Sequence, residues 1–284
     1  MHESDFRKLE SGLDALDSKQ AVVKSHLGKR VLKAISPLIA VAGLIAIWQM
    51  AIVIFDIESY ILPTPLDVAH SIEQQWKLGN LQEAVFRSFL RGIQGFLLAI
   101  AIATPIGVFL GLNKYARAVF GPILLGLQQL PSVAWVPAAI IWFGLSPATI
   151  YAVILLGSVP SIANGLISGI DQIPPIYLKL ATVLRANNWQ RVRHIILPGA
   201  WTGYLAGLEQ GWAFAWRSLM AAELIAISPA LGLGIGQLLD VGRQLGDMSL
   251  VIASIIMIML IGVMVEKVFF SPVRNRTLRK RGLL

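Results

Sequence analysis

The sequence predicts an all-α integral membrane protein of six transmembrane helices, and three observations carry that prediction. Hydrophobic residues fill 56% of the 284 positions and charged residues only 14%, at a mean hydropathy of +0.68. A soluble domain carries about 25% charged residues, so this chain has more apolar surface than one water-soluble core can hide. The apolar residues gather into runs near the roughly 20 residues that a helix needs to cross about 30 Å of hydrocarbon. The basic residues, 24 Lys and Arg against 16 Asp and Glu for a net charge of +8, lie beside those runs. In a soluble protein that excess would suggest nucleic acid; here it is a topology signal, and no nucleic acid partner is expected.

The elements follow in order. Residues 1–33 read as a cytoplasmic tail, because Glu3, Asp5, Arg7, Lys8 and Glu10 alternate in charge with no apolar core of an export signal. Residues 34–55 form the first span. Residues 56–88 form an outer loop rich in acids (Asp56, Glu58, Asp67, Glu73, Glu83), with a short interfacial helix after Pro65. Residues 89–270 are the core, with five further spans. The second covers 89–112, with Arg91 close enough to its end to snorkel. Residues 118–170 contain no charge at all, too long for one helix and right for two, and Gly144, Ser146 and Pro147 mark the turn between them. The third span, with Gln128, Gln129, Pro131, Ser132, Trp135 and Pro137, is expected to kink at its prolines and to face its polar side chains to protein or water, as a pore lining does. The fifth, 199–226, carries Glu209, Arg217 and Glu223; the sixth, 250–265, is uninterrupted. Residues 271–284 read as a basic cytoplasmic tail.

Cytoplasmic loops of membrane proteins are enriched in Lys and Arg. Nineteen of the 24 fall in the tails and the even-numbered connections, against Lys77, Arg87, Arg91 and Arg243 on the other side and Arg217 within a span. Both termini are therefore expected in the cytoplasm.

The fifth span offers two faces. Gly203, Gly207, Gly211 and Ala215 recur every fourth residue and make a ridge on which another helix can approach closely. Glu209, Trp212, Trp216 and Glu223 lie within about 60° of one another at 100° per residue, with Arg217 to one side. Ionisable residues inside a membrane are costly and face the bundle interior or a water-filled cavity, so Glu209 and Arg217 are expected to border a solvated path or a subunit seam, the alternative being a charge pair with a neighbouring helix. Direct pairing of the two would be strained across about 12 Å of axis. Glu223 is expected near the outer surface and solvated. Gly232, Gly234 and Gly236 imitate a phosphate loop but follow no predicted strand, so they read as a turn. With no Cys, and with His2, His26, His70 and His194 scattered, no metal site is expected. No G-x-x-x-x-G-K-[ST] occurs, so any ATP that powers transport is held by another subunit.

Residues 171–198 form the one sizeable cytoplasmic connection. Leu180, Val183 and Leu184, then Val192, Ile195 and Ile196, recur at helical spacing, predicting two short helices, 177–184 and 188–196, presented to a partner. The segment LATVLRANNWQRVRHIILP at 180–198 resembles the coupling motif of ABC importer permeases, E-A-A, three residues, Gly, nine residues, I-x-L-P. Ala181, Ile195, Leu197 and Pro198 match; Lys179 stands where the pattern has Glu, and Arg185 where it has the Gly of a tight turn. ILPTP at 61–65, LPSVAWVPAAIIWFGL at 130–145 and GWAFAWRSLMAAELI at 211–225 extend the likeness to permeases of the nitrate, sulfonate and taurine importers, and the pattern is nearest to those for aliphatic sulfonates.

That resemblance implies a MetI-like type I importer fold in a bacterial inner membrane, and a homodimer of permeases with two ATPase subunits that bind ATP and Mg, an extracytoplasmic binding protein and membrane lipid around it. The chain itself would hold no cofactor and catalyse nothing. Lys179, Ala181, Leu184, Arg185, Arg191, Arg193, Ile195, Leu197 and Pro198 would couple to the ATPase. Gln128, Gln129, Ser132, Trp135, Glu209, Trp212, Trp216 and Arg217 would line the path, and Gly203, Gly207, Gly211 and Ala215 would pack the helices. Many members carry a basic residue near Gln128 and another near Glu209, so here Arg217 is the remaining cation for an anion. The cargo is expected to be a sulfonate, with nitrate, taurine or bicarbonate as alternatives. A secondary transporter would need relay carboxylates over several spans, whereas spans one, three and four carry none. An enzyme would need convergent catalytic groups at one depth, and no span holds Cys or His.

Overall fold

A computed structural model describes residues 26–228 and 231–280. Arg7, Lys8, Lys19, Lys24 and Arg281 lie outside them. The described residues form α-helices and short turns: α1 (His26–Phe55), α2 (Pro65–Lys77), α3 (Asn80–Leu112), α4 (Lys114–Gln129), α5 (Trp135–Phe143), α6 (Pro147–Asp171), α7 (Pro175–Val183), α8 (Asn188–Arg191), α9 (Leu197–Ile225), α10 (Ile235–Leu245), α11 (Met248–Val265) and α12 (Ser271–Lys280). Contacts divide the chain into two compact units, residues 1–57 and 58–284. The first holds α1, whose segment Leu38–Phe55 is long and apolar enough to cross a membrane.

In the second unit, the expected interfacial helix is α2. Pro65 fits its first position, and Thr64 caps it reciprocally: the Thr64 hydroxyl accepts from the Asp67 N–H at 3.2 Å while the Asp67 carboxylate accepts from the Thr64 N–H at 3.0 Å. Hydrogen bonds from the Thr64 hydroxyl and backbone hold the Asp67 carboxyl below the usual range. Gly79, in the left-handed region at φ 80°, turns the chain into α3, which starts nine residues earlier than the sequence predicts because the amphipathic stretch before the apolar run is already helical.

The third span corrects the expectation of a kink: it is broken, with Lys114–Gln129 and Ser132–Phe143 bent by 96°. Pro131 has no N–H to give and disfavours helical geometry at the residue before it, and Leu130 is extended at ψ 131°. The predicted turn at Gly144, Ser146 and Pro147 is present, with Gly144 left-handed at φ 67° and Pro147 opening α6. Helix α6 is the centre of the unit, packed mainly against α9 and α3.

One further correction and one added feature share a cause. Residues 188–196 are not a separate helix: α8 runs through a π turn, Val192–Ile196, into α9. The tail is likewise helical through Lys280, because α11 passes through a second π turn, Glu266–Phe270, into α12. In both, the turn starts six residues before a proline, Pro198 and Pro272, and the residue just before it bonds five back, Leu197 N–H to the Val192 carbonyl and Ser271 N–H to that of Glu266. A widened turn lets each helix take in a residue that lacks a donor and would crowd the carbonyl four back.

Candidate functional site

The small residues of α9 meet small residues of α6. A Cβ on Gly203 would lie 2.5 Å from the Gly169 Cα, one on Gly207 would lie 2.8 Å from the Gly165 Cα, and one on Gly165 would strike Gly207. The two backbones therefore touch directly, which only glycine permits. Gly211 and Ala215 continue the seam, buried, with Ile162 filling the space at Gly211. The partners on α6, Gly165 and Gly169, are one turn apart; the sequence reading does not single them out, although the same four-residue spacing marks them.

Glu223 is not solvated. It is fully buried, and its carboxylate accepts from the Ser88 hydroxyl at 2.6 Å, from Arg91 Nη1 at 2.8 Å and from the Gly236 N–H at 3.2 Å. Arg91 does not snorkel; its other nitrogen donates to the Leu231 carbonyl. The Ile235 N–H donates to the Ser88 oxygen at 2.9 Å. Ser88 and Glu223 thus cap α10 from other helices, taking two of the amide donors its first turn leaves free and placing a negative charge at the positive end of its dipole. The glycine turn is explained by the same charge. Gly232 is left-handed at φ 65°, a Cβ on Gly234 would lie 2.5 Å from the Glu223 carboxyl carbon, and one on Gly236 would lie 2.7 Å from the Glu223 Cβ.

The residues expected along a path separate into four groups. Trp212 and Trp216 are buried: they stack at 6.0 Å, Trp212 meets Phe96 edge-on at 5.4 Å, and Trp216 Nε1 donates to the Ile258 carbonyl at 3.1 Å. Their face of α9 is the interior of this chain. Glu209 pairs with Arg274 of α12 at 2.9 Å, and Arg274 also reaches Glu266 at 3.3 Å, so Glu209 has the charge partner on a neighbouring helix that was the alternative reading. Its Oε1 and the Thr202 hydroxyl are buried without partners among the described residues, and both residues line a small cavity of about 110 Å³, roomy and polar enough for water. Gln128 accepts from the Asn164 amide of α6 at 3.0 Å; Gln129 is exposed, Ser132 and Trp135 half-buried, and the turn Ser132–Ala134 packs on α9. Asn164, an amide inside an apolar helix, is a residue that sequence reasoning passed over.

Arg217 stands apart. Its Nε donates to its own Ala213 carbonyl at 3.1 Å, its guanidinium lies 4.9 Å from the Phe214 ring centre, and it pairs with no carboxylate among the described residues. With Ala206 and Gln210 it forms an exposed stripe of α9, on neither the glycine nor the tryptophan face.

In the connection 171–198, Arg117 grips Asp171 with two bonds of 2.7 Å at its start. Helix α7 then presents Ile176, Leu180, Val183 and Leu184, all exposed, and Trp189 follows from α8. Ala181 is buried and Lys179 exposed. The turn after α7 is the Schellman closure: the Ala186 N–H donates to the Ala181 carbonyl and the Arg185 N–H to that of Thr182. Its left-handed position is Arg185, at φ 49°, where the coupling motif has Gly. The departure changes the residue and keeps the turn. Asn187 then caps α8 reciprocally with Gln190. Arg191 and Ile195 are half-buried and Arg193 exposed. Since a side chain in the left-handed region costs about 1 kcal/mol, Arg185→Gly is expected to raise stability by up to about that amount, read as a shift in the thermal midpoint; a loss of stability would contradict the turn geometry.

Comparison with known proteins agrees with this architecture. Residues 103–268 match the family model described as binding-protein-dependent transport system inner membrane component. An ABC transporter permease protein of Methanocaldococcus jannaschii is 30% identical over 86% of this chain and 90% of its own length. A permease of Bacillus subtilis, named for aliphatic sulfonates transport, is 27% identical over 92% of each chain. Among solved structures, the inward facing conformations of the MetNI methionine ABC transporter include a chain similar in fold, at 17% identity and TM-score 0.57, over 72% of this chain and 97% of that one. The chain is therefore a membrane protein of the binding-protein-dependent transport system inner membrane component family, a MetI-like ABC importer permease and not itself an enzyme.

Proposed function

We propose that this permease moves a small anion, an aliphatic sulfonate first among candidates, in an ATP-driven importer with two ATPase subunits, an extracytoplasmic binding protein and a second copy of itself. The observation that carries the anion reading is Arg217: a guanidinium within the fifth span, without a carboxylate among the described residues, on the exposed stripe of α9. An unneutralised cation at membrane depth is costly unless it meets a water-filled path or an anion. A second copy placed against that stripe would enclose a path between the two chains, bordered by Gln128, Gln129, Ser132 and Trp135 at the break of the third span. Trp212 and Trp216 act in this reading as the rigid backing of α9, and Glu209 through its tie to α12. The sulfonate choice is supported by the name of the relative that spans 92% of the chain.

Both termini lie in the cytoplasm in this reading, and the ATPase docks on the exposed apolar patch of α7 and Trp189, with Lys179, Arg185, Arg191 and Arg193 around it and Leu197 and Pro198 relaying its movement into α9. Closing of the ATPases on ATP would draw these elements together and exchange two packings of similar energy.

Growth of a host lacking the gene on taurine, longer alkanesulfonates, sulfate, nitrate or bicarbonate as limiting source tests the cargo. Loss on sulfonates alone, restored by the gene, is the expected result; loss on nitrate or bicarbonate alone would replace the cargo, and undiminished growth on all would contradict the anion reading. Arg217→Ala is expected to cut uptake at least about tenfold while folded yield is kept, whereas wild-type uptake would remove Arg217 from the path. Arg193→Glu, an exposed reversal on the docking element, is expected to lower uptake and substrate-stimulated ATP hydrolysis together; unchanged values for both would move the docking surface elsewhere.

A further inference from the structure

A groove between α3, α9 and the last helix is used by none of the roles above. It is a cavity of about 470 Å³ lined only by apolar and aromatic side chains, among them Phe96, Leu205, Val268, Phe269 and Val273, and Trp201 stands at one end. Val268 is 72% exposed and Phe269 59%, so the groove opens sideways. Its lining comes from helices apolar enough to cross a membrane and from α9 between them, so it lies along membrane-spanning segments, where an acyl chain suits its lining.

The chemistry changes at the Trp201 end. Trp201 donates its indole N–H to Thr277 of α12 at 3.1 Å, which turns the Val273 and Thr277 face of α12 toward the groove. At 100° per residue, Arg276 and Lys280 lie within about 60° of Val273 on that same face. Both are exposed, and neither pairs with a carboxylate among the described residues. Arg274 is already held by Glu209 and Glu266, and Arg279 lies about 120° around the helix from Val273, so the cations of α12 that continue the groove without a carboxylate partner, among the described residues, are Arg276 and Lys280. Tryptophan is enriched at the level of lipid headgroups, and a basic cluster at the end of an apolar crevice between membrane helices is the pattern that holds an anionic headgroup.

We infer that this groove is a binding site for one anionic phospholipid, its acyl chain lying along Phe96, Leu205 and Val268 and its phosphate held by Arg276 and Lys280. A zwitterionic lipid would fit the groove and offer a phosphate, but its own ammonium would compete with the two cations and it would bring them no net negative charge. The site joins α3, α9 and α12, the last of which holds Glu209 through Arg274, so a bound lipid braces the helix that carries Arg217. The inference rests on the groove and its charges and stands whatever the cargo.

The test is native mass spectrometry of the permease purified with its ATPase and equilibrated in micelles containing equal amounts of phosphatidylglycerol and phosphatidylethanolamine. One phosphatidylglycerol retained per permease chain is expected. The double variant Arg276→Gln, Lys280→Gln, altering two exposed side chains, is expected to lower the preference for phosphatidylglycerol roughly thirtyfold. Val268→Trp, which fills the exposed edge of the groove, is expected to lower retention of both lipids. No retained lipid, equal retention of the two in the wild type, or a preference that both variants leave unchanged would overturn the site. So would an oxidative crosslink between two Val268→Cys chains in the membrane, which is clean to read because the natural chain has no Cys and which would put a second copy where the lipid is placed.

Discussion

Glu223→Ala is expected to destabilise the folded permease by about 3–5 kcal/mol, the cost of leaving the other member of a buried ion pair uncompensated. Arg91, only 14% exposed, would lose its carboxylate, Ser88 its acceptor, and α10 its charge at the first turn. The sign is reinforced by geometry: the glycines at 234 and 236 fit around the Glu223 side chain, so truncation leaves a void that the glycine turn does not fill. The measurement is the thermal midpoint and the folded yield in detergent. A double variant separates charge from packing. Replacing Arg91 with Met and Glu223 with Gln is expected to fall well short of the sum of the single losses, because removing both charges leaves neither buried alone. A midpoint for Glu223→Ala equal to the wild type would contradict the buried pair.

Gly207→Leu is expected to cost about 3 kcal/mol or more, at the upper end of what overpacking does, because the group met by a new Cβ is the Gly165 backbone and the carbonyls of Ser161 and Ile162, none of which can rotate away. Gly126→Ala is the matched control: a Cβ there meets nothing within 4 Å, and alanine in a helix is favoured over glycine by up to about 1 kcal/mol. Loss of folded protein at 207 with none at 126 is the expected contrast; equal behaviour at both would remove the close approach of α6 and α9.

The contrast shows what is legible in the chain and why. Gly207 announces itself because its neighbours recur every fourth residue, a local period that any helix converts into a stripe. The turn at Gly144, Ser146 and Pro147 and the cap at Thr64 are likewise local. Glu223 does not announce itself, because its partner Arg91 is 132 residues away, and a carboxylate near a span end reads as solvated unless the cation that meets it is known. Glu209 is similar: Arg274 lies beyond the place where the apolar run ends, and only the π turn before Pro272 carries the helix far enough to bring it alongside. Prolines act in two ways. Pro131 breaks its span where a kink is expected, since it also moves Leu130 out of helical geometry, while Pro198 and Pro272 are absorbed by widened turns through which the helices continue. The resemblance of residues 180–198 to the coupling motif lies in the sequence pattern, whereas the left-handed backbone that suits the pattern's glycine is seen only in the conformation of Arg185.

The role proposed for this permease, the membrane path of an ATP-driven importer of a sulfonate anion, is tested most directly by uptake into proteoliposomes. These would contain the permease with its ATPase, with the binding protein and a labelled alkanesulfonate on one face and ATP on the other. The account predicts accumulation that requires both ATP and the binding protein and that falls at least about tenfold with Arg217→Ala. Accumulation driven by a proton or sodium gradient without ATP, or no sulfonate uptake under any condition while another solute is carried, would contradict it.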